Sequence, residues 1–311
     1  MPGRPVVVTR EWMVPGCVLL LGVMVAMAIP ATGRAQERMV PVDSGVSLRV
    51  LDMGRASREP AMVLVPGWGT SADIWREEAE RFSKRRRVVA VDPRSQGAST
   101  ITTEGLTPER RARDLNRVIT TLGLGKVVLV GWSQGVQDVA AYVDAFGTDS
   151  LAGIVLVDAS ISRGAGAIEE NPQGAALTFR RMSIYLAHPA EYARGMLGAI
   201  ISHPLTPERL RKLSDDMLAT PPALGVAMLV ADMYGADRSS SIPKFGKPTL
   251  VIASANSPEL AAQRAMAAAF PEGRIEVIRD AGHAVFVDQP ERFAEAVERF
   301  LANLSTESSG R

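Results

Sequence analysis

Short, fully apolar runs alternate along the chain with stretches in which apolar residues recur at helical spacing. That is the pattern of buried parallel strands joined by helices that cover both faces of a sheet. The predicted strands are Val46 to Leu51, Ala61 to Val65, Val88 to Val91, Val127 to Val130, Ile154 to Val157, Thr249 to Ala253 and Ile275 to Ile278. Helices are predicted from Ala72 to Ser83, from Thr107 to Leu122, from Val136 to Ala145, from Pro258 to Phe270 and from Pro290 to Leu304. The second has a clear start: Thr107 as cap, Pro108 at the first helical position and Glu109 in the first turn. Between about residues 160 and 245 the strand pattern stops, and Pro189, Pro204, Pro207, Pro221, Pro222 and Pro243 punctuate helical stretches. The expectation is an α/β fold, a doubly wound and mostly parallel sheet, with a helical cap over residues 160–245 inserted between strands six and seven. Residues 36–159 and 246–304 form the core, and residues 305–311 a disordered tail.

The N-terminus has a different pattern. Arg4 and Arg10 precede an apolar run from Val14 to Pro30, and the small residues Ala31, Thr32, Gly33 and Ala35 follow before Glu37. This is the order of a secretory signal peptide, with cleavage expected near Ala35 and residues 1–35 removed. The expected location is periplasmic or secreted, the alternative being a chain still anchored by this segment. Cys17, the single cysteine, would leave with the signal, and most of the apolar run follows it, which argues against a lipid attachment site.

Composition narrows the classes of partner. The 311 residues carry 35 Lys+Arg against 34 Asp+Glu, a formal charge of +1, so nothing favours nucleic acid or an acidic membrane as an electrostatic partner. One cysteine excludes a disulfide framework and a cysteine-based zinc site. No metal or organic cofactor is implied, the expected partner is a small molecule, and no stable membrane insertion is expected after cleavage.

Gly131-Trp132-Ser133-Gln134-Gly135 stands between an apolar strand and a helix, the context in which G-x-S-x-G forms a nucleophile elbow. Gly131 and Gly135 flank the turn because side chains there would strike the neighbouring strand and helix. Ser133 would project above the sheet at a helix N-terminus, where developing negative charge is favoured. A serine hydroxyl needs a base within hydrogen-bond reach. His188 and His203 each precede a proline in the insert and read as surface or packing residues, whereas His283, in the loop Asp280-Ala281-Gly282-His283 after the last strand, lies at the same strand-end face as Ser133 and reads as the general base.

With these segments the sequence resembles the α/β-hydrolase fold superfamily, over Val46 to Leu304. The carriers are Pro66-Gly67-Trp68-Gly69, Asp92-Pro93-Arg94-Ser95-Gln96-Gly97, the Ser133 elbow and the Gly282-His283 loop. The resemblance implies an oxyanion hole from the backbone N–H groups of Trp68 and Gln134, with Pro66-Gly67 where relatives often have His-Gly. It makes Asp92 and Arg94 turn-stabilising residues. The acid that many relatives place after strand seven is missing, since Ala253-Ser254-Ala255-Asn256-Ser257 offers no carboxylate; a branch with its acid after strand six points to Asp158. Asn256 is the alternative as a neutral orienter.

The implied chemistry is acyl transfer from an ester or lactone to water through an acyl-enzyme on Ser133, with an uncharged or amphiphilic substrate. A C–C bond hydrolase, a cofactor-free perhydrolase and a non-catalytic ligand receptor are the alternatives. Met182, Met196, Met217, Met228 and Met233, with Leu186, Leu197, Leu218 and Leu229, would form either the cap's own core or an adaptable lining of the site.

Overall fold

The computed structural model describes Gly3 and residues 35–309, without the side chains of 305–309. The expected signal segment, its cleavage site and Cys17 therefore fall outside the described residues, apart from Gly3 and Ala35.

The described residues build an eight-stranded sheet in the order β1-β2-β4-β3-β5-β6-β7-β8. Its strands are β1 (Gln36–Asp43), β2 (Val46–Met53), β3 (Ala61–Val65), β4 (Val88–Val91), β5 (Val127–Trp132), β6 (Leu151–Val157), β7 (Thr249–Ser254) and β8 (Gly273–Ile278). Only the β1–β2 and β2–β4 pairs are antiparallel; from β4 to β8 all neighbours run parallel. β3, β5 and β7 are buried along their whole length, which is why they read in sequence as continuous apolar runs rather than as alternation.

Successive residues of these strands feed two different cores. Val63, Leu129 and Val251 point to one face, where Leu115 and Val118 of α2 (Pro108–Thr121), Val139 and Val143 of α3 (Gln134–Phe146) and Met266 of α9 (Leu260–Ala269) cover them. Met62, Leu64, Val128, Val130 and Ile252 point to the other, against Phe82 of α1 (Arg76–Phe82) and Phe293, Val297 and Phe300 of α11 (Pro290–Ser309). The sheet is therefore doubly wound, as the strand and helix periodicities predict.

The insert occupies the chain between β6 and β7. It comprises α4 (Gly166–Glu170), α5 (Pro172–Ala187), α6 (Pro189–Ile200), α7 (Pro207–Leu218) and α8 (Pro222–Tyr234). Helices α5 to α8 each carry a proline in the first turn, where its missing N–H costs no intrahelical bond. Two elements escaped the sequence pattern: β1, exposed everywhere but at Val40 and Val42, and the one-turn α10 (Val285–Asp288). The tail expectation is corrected at its start, because α11 continues past Leu304 to Ser309. Ser305, Thr306 and Glu307 are compatible with a fraying last turn, and no proline or glycine stops the helix before Gly310.

Candidate active site

Ser133 follows β5 directly and is the N-cap of α3, with φ 55° and ψ −115°. A serine rarely adopts this conformation, and the surrounding packing enforces it. Its amide donates to the Val157 carbonyl at 3.1 Å. A Cβ on Gly131 would lie 2.4 Å from the Gly135 oxygen, and one on Gly135 would lie 2.7 Å from the Val65 oxygen. Both glycines are thus required by contact distance. The serine side chain does not cap the helix, which leaves its hydroxyl free of that local bond.

Asp158 follows β6 directly, again with positive φ, at 46°. The carboxylate is buried, and its two oxygens have separate tasks. Oδ1 accepts from the Ser254 amide at 2.9 Å and from Gln263 Nε2 at 3.3 Å, while Oδ2 lies 2.9 Å from His283 Nδ1. A carboxylate on Nδ1 selects the tautomer with its proton there and leaves Nε2 as the free base. Asn256 does not take this place. Its Nδ2 donates to the Ala281 carbonyl at 3.3 Å, so it ties down the loop before His283 rather than the imidazole.

His283 is joined to the serine loop through Trp132. The Trp132 indole donates to the His283 carbonyl at 2.9 Å, and the two rings are 5.3 Å apart. The residue immediately before Ser133 therefore fixes the backbone that carries His283. A Cβ on Gly67 would lie 2.9 Å from the Trp132 ring and 3.2 Å from Ser133 Cβ, so the loop after β3 runs against the serine as well. That loop is held by Thr70 Oγ1 donating to the Gly67 carbonyl at 2.9 Å and by Gly69 N donating to Gln96 Oε1 at 2.8 Å. No hydrogen bond joins the backbone amide of Trp68 or Gln134 to another described residue. The Gln134 side chain is buried with neither its oxygen nor its nitrogen paired.

The insert reaches these loops at several points. Trp68 Nε1 donates to the Gly225 carbonyl of α8 at 2.7 Å, and the Trp68 ring packs edge-on against Tyr185 of α5 at 5.2 Å. Met182, Met217 and Met228 bury themselves in this cluster, and Leu197 joins the core beneath the sheet. Leu186, Leu218 and Met233 depart from both expected roles, because they face outward and are exposed. Ser71 Oγ donates to Asp216 of α7 at 2.6 Å. Arg111 of α2 is clamped between Asp138 of α3, at 2.8 Å, and Asp232 of α8. Complete burial raises the pKa of both carboxylates, against the pull of the Arg111 charge.

The most consequential contact that sequence reading missed is Asp288 of α10. Its carboxylate accepts from the Gly282 amide at 2.7 Å, the Ser202 amide at 3.0 Å and the His203 amide at 2.8 Å. His203 Nδ1 also lies 3.1 Å from it while its ring stays exposed, in keeping with the surface or packing role expected of it. The signal for Asp288 was an acidic residue just before Pro290, close in sequence to a Gly-His loop with amides to satisfy. Asp92 and Arg94 have the structural roles the sequence suggested. Asp92 accepts from the amides of Ala72 and Ala98 at 2.6 and 2.8 Å, and Arg94 makes paired bonds to Asp114 at 2.6 and 2.8 Å. Among the described residues, no group of three or more His, Cys, Asp or Glu is arranged to hold a metal ion.

A family model described as the alpha/beta hydrolase fold matches residues 60–290. The chain belongs to the α/β hydrolase fold family. Among curated relatives, a bifunctional esterase/perhydrolase of Acinetobacter calcoaceticus is 35% identical over 39% of this chain and 44% of its own length. A non-heme chloroperoxidase of Kitasatospora aureofaciens is 33% identical over 37% of this chain and 41% of its own. The matched part is thus under half the length of these relatives. An sn-1-specific diacylglycerol lipase of Mus musculus, ABHD11, is 27% identical over 94% of this chain and 98% of its own. Among solved structures, a Bacillus anthracis bromoperoxidase has TM-score 0.77 at 22% identity, covering 86% of this chain and all of that one. A Thermogutta terrifontis esterase has TM-score 0.73 at 27% identity, covering 87% and 99%.

Proposed function

We propose that the protein is a serine hydrolase that cleaves a carboxylic ester or lactone of a small uncharged or amphiphilic substrate. The observation that carries the reading is the 2.9 Å contact of Asp158 Oδ2 with His283 Nδ1, at the same strand-end face as a strained Ser133. In the proposed cycle His283 Nε2 takes the Ser133 proton as Oγ attacks the carbonyl carbon. The carbonyl oxygen gains the negative charge, and the free amides of Trp68 and Gln134 stabilise it. The C–O bond then breaks, the alcohol leaves with the proton from His283, and water repeats the sequence to release the acid. Asp158 keeps its charge throughout and stabilises the imidazolium.

Helices α4 to α8 would serve as a cap, with the Trp68–Gly225 contact registering it over the oxyanion loop. The N-terminal segment would direct export, with cleavage near Ala35; N-terminal sequencing of the exported form tests this, and a product beginning at Met1 would refute it.

The likeness to an esterase/perhydrolase favours one second use of the same serine. Hydrogen peroxide in place of water would release a peracid from the acyl-enzyme. Fluorophosphonate labelling and p-nitrophenyl esters of increasing chain length, with Ser133→Ala as control, test the main reading. Modification at Ser133 and hydrolysis abolished in Ser133→Ala are expected. An unlabelled Ser133 in folded protein would instead support a ligand receptor.

A further inference from the structure

Helix α3 has two unlike sides, both covered. Val139 and Val143 turn to the sheet, and polar residues on the far side meet the insert. Gln137 Nε2 donates to the Ser160 carbonyl at 2.8 Å, and its Oε1 accepts from the Ser162 amide at 2.8 Å. Asp138 binds Arg111, which also holds Asp232 of α8. Position 134 projects between positions 137 and 138, one turn nearer Ser133, and helical side chains lean toward the N-terminus. The Gln134 side chain is therefore carried under the insert, at the end of α3 where Ser133 stands. It is 4% exposed, and neither its oxygen nor its nitrogen has a partner among the described residues, although Gln137 and Asp138 beside it are both engaged.

The stretch of α8 between its two anchors on the core is apolar. Gly225 is held by Trp68 and Asp232 by Arg111. Met228, one turn from each, is completely buried in a cluster with Met182, Met217 and Tyr185. An amide buried without partners costs stability that a methionine or leucine of similar size would not. A carboxyl can meet that cost by keeping a proton, and an amide cannot. Beside a nucleophile the cost has a use, because it leaves a donor and an acceptor for the substrate.

The side on which Gln134 stands decides which part of the substrate it meets. His283 is held by Trp132, whose ring packs on Phe286 in the core on the α11 side of the sheet, while α3 covers the other side. His283 hands its proton to the departing alcohol, so the alcohol lies on the His283 side and the acyl group on the Gln134 side. The Gln134 side chain starts one bond from the amide nitrogen that would hold the oxyanion. Its head therefore reaches the first carbons beyond the carbonyl.

We propose that the Gln134 side chain determines specificity by binding a hydroxyl on the second or third carbon of the acyl group. The substrate is then an ester or lactone whose acyl part carries a free hydroxyl. A hydroxyl both accepts from Nε2 and donates to Oε1, whereas an ether or keto oxygen leaves Oε1 unpaired. The proposal rests on the reading of Ser133 as the nucleophile of a hydrolase.

The test takes the p-nitrophenyl ester of the acyl length that the parent hydrolyses best and compares it with its 2-hydroxy and 3-hydroxy analogues, in the parent and in Gln134→Met. Each kcat/KM is divided by the ester's rate of alkaline hydrolysis, which removes differences in intrinsic reactivity. Methionine matches glutamine in length, and whatever it does to the oxyanion donor affects all the esters and cancels in their ratio. In the parent, one hydroxy ester is expected to exceed the plain ester by about ten-fold or more. Its methyl ether should lose most of that gain. In Gln134→Met the ratio should fall to about unity, with Gln134→Leu standing in if the methionine variant does not fold. Turnover of the plain ester without any preference for a hydroxyl would overturn this proposal and leave the hydrolase reading standing. A preference that survives in Gln134→Met would overturn it as well and assign the amide to an ordered water. If the parent hydrolyses no p-nitrophenyl ester and fluorophosphonate leaves Ser133 unlabelled, the hydrolase reading fails and this one with it.

Discussion

Asp158 Oδ2 and His283 Nδ1, 125 residues apart in the chain, meet at 2.9 Å, and the other oxygen of the same carboxylate is occupied by the Ser254 amide. The division of labour makes the substitution Asp158→Asn informative. An amide with its oxygen toward Ser254 would still accept that bond but would present N–H to His283, forcing the imidazole into the wrong tautomer. Turnover of a p-nitrophenyl ester is expected to fall by about three to four orders of magnitude with KM little changed, the size of effect known for removing this charge in serine proteases. The thermal midpoint should stay within a few degrees of the parent. Near-normal turnover would remove Asp158 from the mechanism.

The elbow glycines are set by distance rather than by flexibility. With its added carbon 2.4 Å from the Gly135 oxygen, Gly131→Ala must push α3 away from β5; Gly135→Ala must push it away from Val65, where the approach is 2.7 Å. Backbone atoms cannot yield as a side-chain tip can. Each substitution is expected to destabilise by roughly 2–3 kcal/mol and to lower turnover further by displacing Ser133. Urea unfolding and steady-state kinetics on the same preparations check both, and an active, fully stable Gly135→Ala would contradict the contact.

Asp288 gives a positioning residue that can be separated from the chemistry. Its carboxylate holds Gly282, next to His283, and the Ser202-His203 turn of the insert in one knot. Asp288→Ala leaves these amides without an acceptor in a partly buried place, a loss expected to cost roughly 2–4 kcal/mol. It should also reduce kcat by loosening the His283 loop. His203→Ala removes only an exposed ring from the same knot and is expected to change kcat less than about two-fold. If the two variants behave alike in a pH profile and in kcat, Asp288 has no positioning role.

The sequence made legible those parts that rest on local contacts or steep sterics. Val127 to Val130 followed by Gly131 and Gly135 marks the elbow because burial on both faces demands an apolar run and the turn excludes side chains. Asp158 could be named only as a candidate. What brings Asp158 rather than Asn256 to His283 is a meeting of the end of β6 with a loop beyond β8, and no periodicity encodes that. Strand β1 was invisible because Gln36 to Met39 are all exposed and the apolar Met39 and Pro41 stand at outward positions, so its sequence lacks the polar–apolar alternation of a half-buried strand. The outward Leu186 and Met233 were misread for the opposite reason, since hydrophobic spacing on a helix implies burial unless something outside the chain covers it.

Glu78 of α1 supplies a pH dependence that involves no catalytic group. Its side chain is 2% exposed, neither carboxyl oxygen has a hydrogen-bond partner, and Arg81 Nε stays 3.7 Å away. Burial pushes its pKa up from 4.5 to about 8. In the unfolded chain the proton leaves above pH 4.5, whereas the folded protein keeps it until about pH 8. Folding is therefore opposed increasingly across that window, at up to about 1.4 kcal/mol per pH unit, and the contribution levels off above it. Relaxation and water entry reduce the full amount, and a penalty of roughly 2 kcal/mol at pH 8 is expected. Glu78→Gln is neutral at every pH and fills nearly the same volume, so its stability should match the parent near pH 4.5 and exceed it by that margin at pH 8. Denaturant unfolding at pH 5, 6.5 and 8 reads the difference directly. Two curves that stay parallel across the series would mean that Glu78 ionises in the folded protein as it does in the unfolded chain.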